Sequence, residues 1–110
     1  MRLVVSAKGT SESSEVDPRF GRAAHLLLCD TDSGQWQRLE SATAAQGAGV
    51  QAAETVCRAG ATILITGHVG PKAFEVLSAG GVKAYQGDGR SVRQAVEDFS
   101  AARLAEITGR

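Results

Sequence analysis

Three short apolar runs, Leu3-Val4-Val5, Leu26-Leu27-Leu28-Cys29 and Ile63-Leu64-Ile65, are rich in branched side chains and bounded by glycine or polar residues. Runs so short and so apolar are the pattern of strands buried on both faces, since a helix of the same apolarity needs about ten residues or more. They define the centre of a sheet, and a sheet covered on both sides requires helices around it. The turn Thr31-Asp32-Ser33-Gly34 joins residues 25–30 to residues 35–40, where Trp36 alternates with polar neighbours as in an outer hairpin strand. The second and third strands are therefore expected to be antiparallel.

From Gln46 the period changes, with Val50, Ala53, Val56 and Cys57 recurring at helical spacing up to a stop at Gly60. Residues 62–66 read as a fourth strand, and Pro71 opens a short helix carrying Phe74, Val76 and Leu77 that Gly80-Gly81 terminates. Residues 82–86 read as a fifth strand. Ser91 with Gln94 makes a capping box for a last helix whose inner face is Val92, Ala95, Val96, Phe99 and Ile107, so that it runs almost to the C-terminus. The order strand, long loop, hairpin, then helix-strand-helix-strand-helix predicts one α/β domain over residues 1–110, with a mixed five-stranded sheet and three helices.

Twelve basic and twelve acidic side chains cancel, and 43% apolar with 22% charged residues is the balance of a soluble globule. That composition excludes a disordered chain and argues against nucleic acid as a partner, because phosphate-backbone binding needs a concentrated basic face. The chain opens Met-Arg-Leu-Val-Val-Ser and is polar by Lys8, too soon for a signal peptide or a membrane span. A cytoplasmic protein with no membrane partner is expected. Two cysteines, Cys29 and Cys57, cannot supply the four thiolates that usually hold an iron-sulfur cluster, so any cluster bound here must arrive preassembled. Both fall on core-facing positions and read as packing residues.

Residues 7–24 form an 18-residue stretch with Gly9, three serines and an Asp17-Pro18 break, a length that usually signals function. Its few apolar anchors, Val16 and Phe20, predict mobility without a ligand. Three glycine-rich segments enter helices: Gly47-Ala48-Gly49, Gly67-His68-Val69-Gly70 and Gly87-Asp88-Gly89. Loops leaving the carboxyl ends of parallel strands gather on one edge, where unpaired helix N–H groups attract anions. Residues 47–53 match a Gly-x-Gly-x-x-Gly/Ala pattern, but they follow no buried strand and no acidic residue closes strand four, so a dinucleotide site is not supported. His68, just after strand four and before Pro71, is placed to coordinate a metal or donate to an anionic sulfide, or more plainly to bond a loop carbonyl. His25 reads as structural. No carboxylate cluster forms, the first strand lacks the aspartate of a metal-dependent nuclease, and Ser6, His68 and Asp17 make no convincing nucleophilic set. The residues point to binding rather than catalysis.

Asp17-Pro18-Arg19-Phe20-Gly21-Arg22-Ala23, Gly47-Ala48-Gly49-Val50-Gln51-Ala52-Ala53 and Thr66-Gly67-His68-Val69-Gly70-Pro71-Lys72-Ala73-Phe74 together resemble, in order and spacing, the dinitrogenase iron-molybdenum cofactor biosynthesis family. The chain is similar to its small single-domain branch, the orange-protein form. The resemblance implies a ribonuclease-H-like α/β fold without nuclease activity. It also implies binding or carriage of an anionic metal-sulfur cluster, either a molybdenum-copper sulfide or the iron-molybdenum cofactor or its iron-sulfur precursor. Cluster-delivery or acceptor proteins would be the partners. Carried over residue by residue, the aspartate-to-glycine loop falls on Asp17, Arg19, Phe20 and Gly21 and the Gly-His-x-Gly-Pro loop on Gly67, His68, Gly70 and Pro71; Arg22, Gly47, Gly49 and Lys72 complete the expected cofactor site, with His68 as the candidate metal ligand. Many relatives carry histidine where this chain has Arg19, which favours electrostatic holding through Arg19, Arg22, Lys72 and glycine N–H groups. The competing expectation is a regulatory or scaffold module that binds a partner protein or a small phosphate metabolite at the same loop edge.

Overall fold

The computed structural model describes residues 1–39 and 48–108, so Gly47 and the change of period expected from Gln46 fall outside the described residues. Among the described residues three strands, β1 (Arg2–Ala7), β2 (His25–Asp30) and β3 (Gln35–Leu39), come first, and helices α1 (Ala48–Arg58), α2 (Pro71–Ala79) and α3 (Val92–Ser100) then alternate with β4 (Ile63–Thr66), β5 (Lys83–Gln86) and β6 (Ala105–Ile107). The sheet order is β3-β2-β1-β4-β5-β6. β1 lies antiparallel to β2, with Val4 opposite Leu28, and parallel to β4, with Val4 opposite Leu64. The β2–β3 hairpin is antiparallel and β4–β5 parallel, as the crossover pattern predicts.

Period-2 alternation sorts the strand residues into two layers. Val4, Leu26, Leu28 and Leu64 face α1 and α2, where Ala53, Val56 and Leu77 meet them. Leu3, Val5, Leu27, Cys29, Ile63 and Ile65 face α3 through Val92 and Ala95. Each fully buried aliphatic side chain contributes about 1.5–3 kcal/mol, whereas surface ion pairs such as Arg93 with Glu12 contribute about 0–1 kcal/mol. The two layers, not surface charge, therefore hold the fold. Cys29 is buried in the α3 layer, while Cys57 is half-buried in the α1/α2 layer with its thiol 3.8 Å from the Val76 carbonyl. The sheet stands between the two thiols.

The five-stranded sheet expected from the sequence is corrected to six. α3 ends at Ser100, and Ile107, instead of lying on its inner face, pairs antiparallel with Ala84 as part of β6. The stop is a C-terminal motif in which Ala102 N–H donates to the Phe99 carbonyl and Arg103 N–H to the Asp98 carbonyl. Ala102 occupies the left-handed region at φ 59, a place usually held by glycine. Half of the expected capping box forms: Ser91 Oγ accepts the Gln94 N–H at 3.1 Å, but the Gln94 amide turns to Asp98 Oδ1 at 2.9 Å. No helix among the described residues is long and apolar enough to cross a membrane.

Residues 7–24 are tied down by backbone hydrogen bonds more than by apolar anchors. Lys8 N–H donates to Glu15, Asp17 N–H to Ser6, and Val16 N–H to Arg90, while Val92 and Arg93 N–H groups donate back to Ser14 and Glu12. Such bonds depend on backbone atoms and leave no mark on residue type.

Candidate functional site

Parallel β1 and β4 each carry a hydroxyl residue near the carboxyl end, Ser6 and Thr66, and neither has any exposed surface. Ser6 Oγ lies 2.7 Å from both the Asp17 carbonyl oxygen and Thr66 Oγ1, and Thr66 Oγ1 lies 3.4 Å from the same carbonyl. Two hydroxyl protons are shared among three buried oxygens, and Asp17 N–H donates back to the Ser6 carbonyl at 2.8 Å. Asp17 is thus fixed to the sheet through both its backbone N–H and its carbonyl. Neither serine nor threonine was legible as a site-former beyond the fact that each closes an apolar run.

From that anchor the chain turns outward. Asp17 Oδ1 accepts the Arg19 N–H at 3.0 Å, an Asx turn across Pro18. Pro18 carbonyl then accepts the His68 N–H at 2.7 Å and His68 carbonyl accepts the Phe20 N–H at 3.3 Å, so Arg19 and His68 form a one-residue parallel bridge. Bridge partners project their side chains to the same side, and both of these are exposed. Two blocks almost fifty residues apart in sequence are thereby brought to one place. Phe20 is buried against the α1/α2 layer and pins the single 3-10 turn Phe20–Arg22.

The site glycines divide by what surrounds them. A Cβ on Gly67 would stand 2.7 Å from Pro18 Cα, and one on Gly21 would stand 2.8 Å from Gly49 Cα, so these two permit close backbone approach. Gly70 instead faces open space and caps α2 without a side chain. At the start of α2, Pro71 has no N–H and Phe74 N–H donates to the Gly70 carbonyl at 2.9 Å. Among the described residues the N–H groups of Lys72 and Ala73 have no acceptor. Lys72, Arg22, Arg19 and His68 present exposed side chains on the segments that meet there. Open N–H donors, the positive end of a helix and exposed cations make a receptor for a compact anion.

The third glycine-rich segment does not extend this receptor. At α3 the Ser91 hydroxyl and the carbonyls of Ser14 and Glu12 already take the N–H groups of Gln94, Val92 and Arg93, so the chain itself occupies that helix entrance. Gly87 and Gly89 serve the turn, the latter at φ 85. The expected convergence of three open entrances is reduced among the described residues to α2, with Gly49 in the adjoining first turn of α1. Among those residues no three His, Cys, Asp or Glu side chains gather to hold a metal ion.

The sequence profile described as dinitrogenase iron-molybdenum cofactor matches residues 1–102. The chain belongs to this family. The apo form of the orange protein from Desulfovibrio gigas is 40% identical to this chain of the dinitrogenase iron-molybdenum cofactor family, superposes with a TM-score of 0.92, and is matched over 98% of this chain and 93% of its own. A putative NifB protein from Thermotoga is 37% identical with a TM-score of 0.86, over 99% and 97% of the two chains. An uncharacterized protein of Methanocaldococcus jannaschii is 21% identical over 101 residues, 87% of this chain and 86% of the relative. These likenesses span the Arg19–His68 bridge and the α2 entrance together. They fit a small protein associated with the iron-molybdenum cofactor or a related cluster.

Proposed function

We propose that this chain is a non-catalytic binding or carrier protein for a preassembled anionic metal-sulfur cluster of the molybdenum-copper sulfide or iron-molybdenum cofactor and precursor type. The observation that carries the reading is the open entrance of α2 beside the Arg19–His68 bridge, in a chain 40% identical to the orange protein. A thiometallate brings its own sulfides and needs donors and positive charge rather than cysteine ligands. Arg19, Arg22 and Lys72 would supply the charge, and Gly70, Lys72 and Ala73 would supply the rim and N–H groups. His68 would donate a proton to sulfide or ligate a metal directly. Asp17, Phe20, Gly21, Gly49 and Gly67 would keep the two loops in place; Gly47 lies outside the described residues. The cargo would pass to or from delivery and acceptor proteins in the cytoplasm, where isolated thiols stay reduced.

Anaerobic titration with tetrathiomolybdate plus copper, or with an iron-sulfur precursor, tests the proposal. A stoichiometric visible absorption band without turnover is expected, with uptake that weakens as salt is raised. Absence of any chromophore, together with saturable phosphate binding, would favour the regulatory or scaffold reading instead.

A further inference from the structure

We propose that Asp17 is an internal competitor for Arg19 that keeps anion binding at this edge reversible. The inference rests on reading the edge as an anion carrier. An acid behind a set of N–H donors and cations works against anion capture, so its presence needs a reason. The Asx turn is not a sufficient one, because an asparagine Oδ1 would accept the Arg19 N–H equally well and carry no charge.

The pair is one-sided. Asp17's side chain is 6% exposed and its peptide unit is clamped to Ser6, whereas Arg19's side chain is 69% exposed. Asp17 Oδ1 stands 3.9 Å from Arg19 Nε, beyond hydrogen-bond reach, so the attraction is a charge interaction without a directed bond. Arg19 can leave such a contact cheaply, and Asp17 cannot follow. When an anion settles at the α2 entrance, the guanidinium turns from the fixed carboxylate to the cargo. When the cargo departs, the carboxylate reclaims it. Arg19 is therefore never without a counter-charge, and the bound state is weaker than the same site would be with a neutral residue at position 17.

The test uses tetrathiomolybdate on the parent chain, Asp17→Asn, Arg19→Ala and the double variant, by equilibrium titration and stopped-flow release at low and high ionic strength. Asp17→Asn is expected to bind about three- to tenfold tighter at low salt, mainly through slower release, with the gain shrinking as salt rises. In the Arg19→Ala background most of the gain should vanish, leaving only the relief of direct repulsion between carboxylate and anion. Equal or weaker binding by Asp17→Asn overturns the proposal, and so does a gain of the same size without Arg19. Should Asp17→Asn lose the parent's circular dichroism, NMR of the parent decides: the Asp17 carboxylate carbon and the Arg19 Nε–H resonances should shift together on saturation, and an unmoved Asp17 overturns the proposal. A parent that never binds tetrathiomolybdate sinks the carrier reading and the competitor with it. A parent that binds, with no gain in Asp17→Asn, sinks the competitor alone.

Discussion

Gly21 packs against the backbone of Gly49, where a Cβ on residue 21 would stand 2.8 Å from Gly49 Cα and 3.0 Å from its nitrogen. The reverse substitution is different, because a Cβ on Gly49 would meet Ala73 Cβ at an ordinary 3.5 Å. Gly21→Ala should force the turn Phe20–Arg22 away from α1 and lose about 1–3 kcal/mol. Gly49→Ala should be neutral or gain up to about 1 kcal/mol, since glycine within a helix is unfavourable relative to alanine. Urea unfolding of the two variants side by side reads the asymmetry, and equal effects would contradict the packing described.

His68→Ala should leave stability within about 0.5 kcal/mol of the parent, because the side chain is exposed and the bridge to Arg19 is made by backbone atoms. Thiometallate uptake should nevertheless weaken. Retained uptake at unchanged affinity would reduce His68 to a backbone contributor.

Ala102→Gly should stabilise the chain by about 1 kcal/mol, because the left-handed conformation at φ 59 is strained for alanine and free for glycine. A thermal melt checks it, and a lower melting temperature would contradict the assigned turn. The same alanine explains why the last strand is not legible in the sequence. Helical spacing continues from Phe99 through Ile107 with no Gly or Pro between them, so nothing announces the stop. β6 itself is only Ala105–Ile107, too short for a periodic signal.

What was legible elsewhere follows the same logic. β1, β2 and β4 stood out because central strands are buried on both faces and must be apolar throughout. The site loops are legible as blocks, yet their juxtaposition rests on backbone hydrogen bonds of His68 with Pro18 and Phe20 and on hydroxyls at Ser6 and Thr66. Backbone pairing leaves no mark on residue type, so the closure of the α3 entrance by Ser14 and Glu12 was equally hidden.

The thiol of Cys29 is raised above its ordinary 9.0 by burial first, then by the nearby Asp30 and Glu12 charges. Burial and Glu54 raise Cys57 in the same direction. In the window from 9.0 up to the raised folded values, the unfolded chain releases protons that the folded chain keeps. Stability present below pH 9.0 is therefore lost as pH rises through that window. Cys29→Ala should flatten the alkaline limb of a plot of melting temperature against pH. Cys29→Ser should instead cost about 1–3 kcal/mol for its buried hydroxyl and still take up cargo, and loss of the chromophore would contradict a packing role.

The oxygen triad of Ser6, Asp17 and Thr66 joins positions 11, 49 and 60 residues apart along the chain. The two contacts made by Thr66 cost more loop-closure entropy than the 11-residue contact of Ser6 with Asp17, and they need β1 paired with β4. Without that pairing Asp17 is held by Ser6 alone and Arg19 is not set opposite His68. A nascent or partly folded chain consequently has no receptor. Competence to take cargo arrives only with the finished sheet.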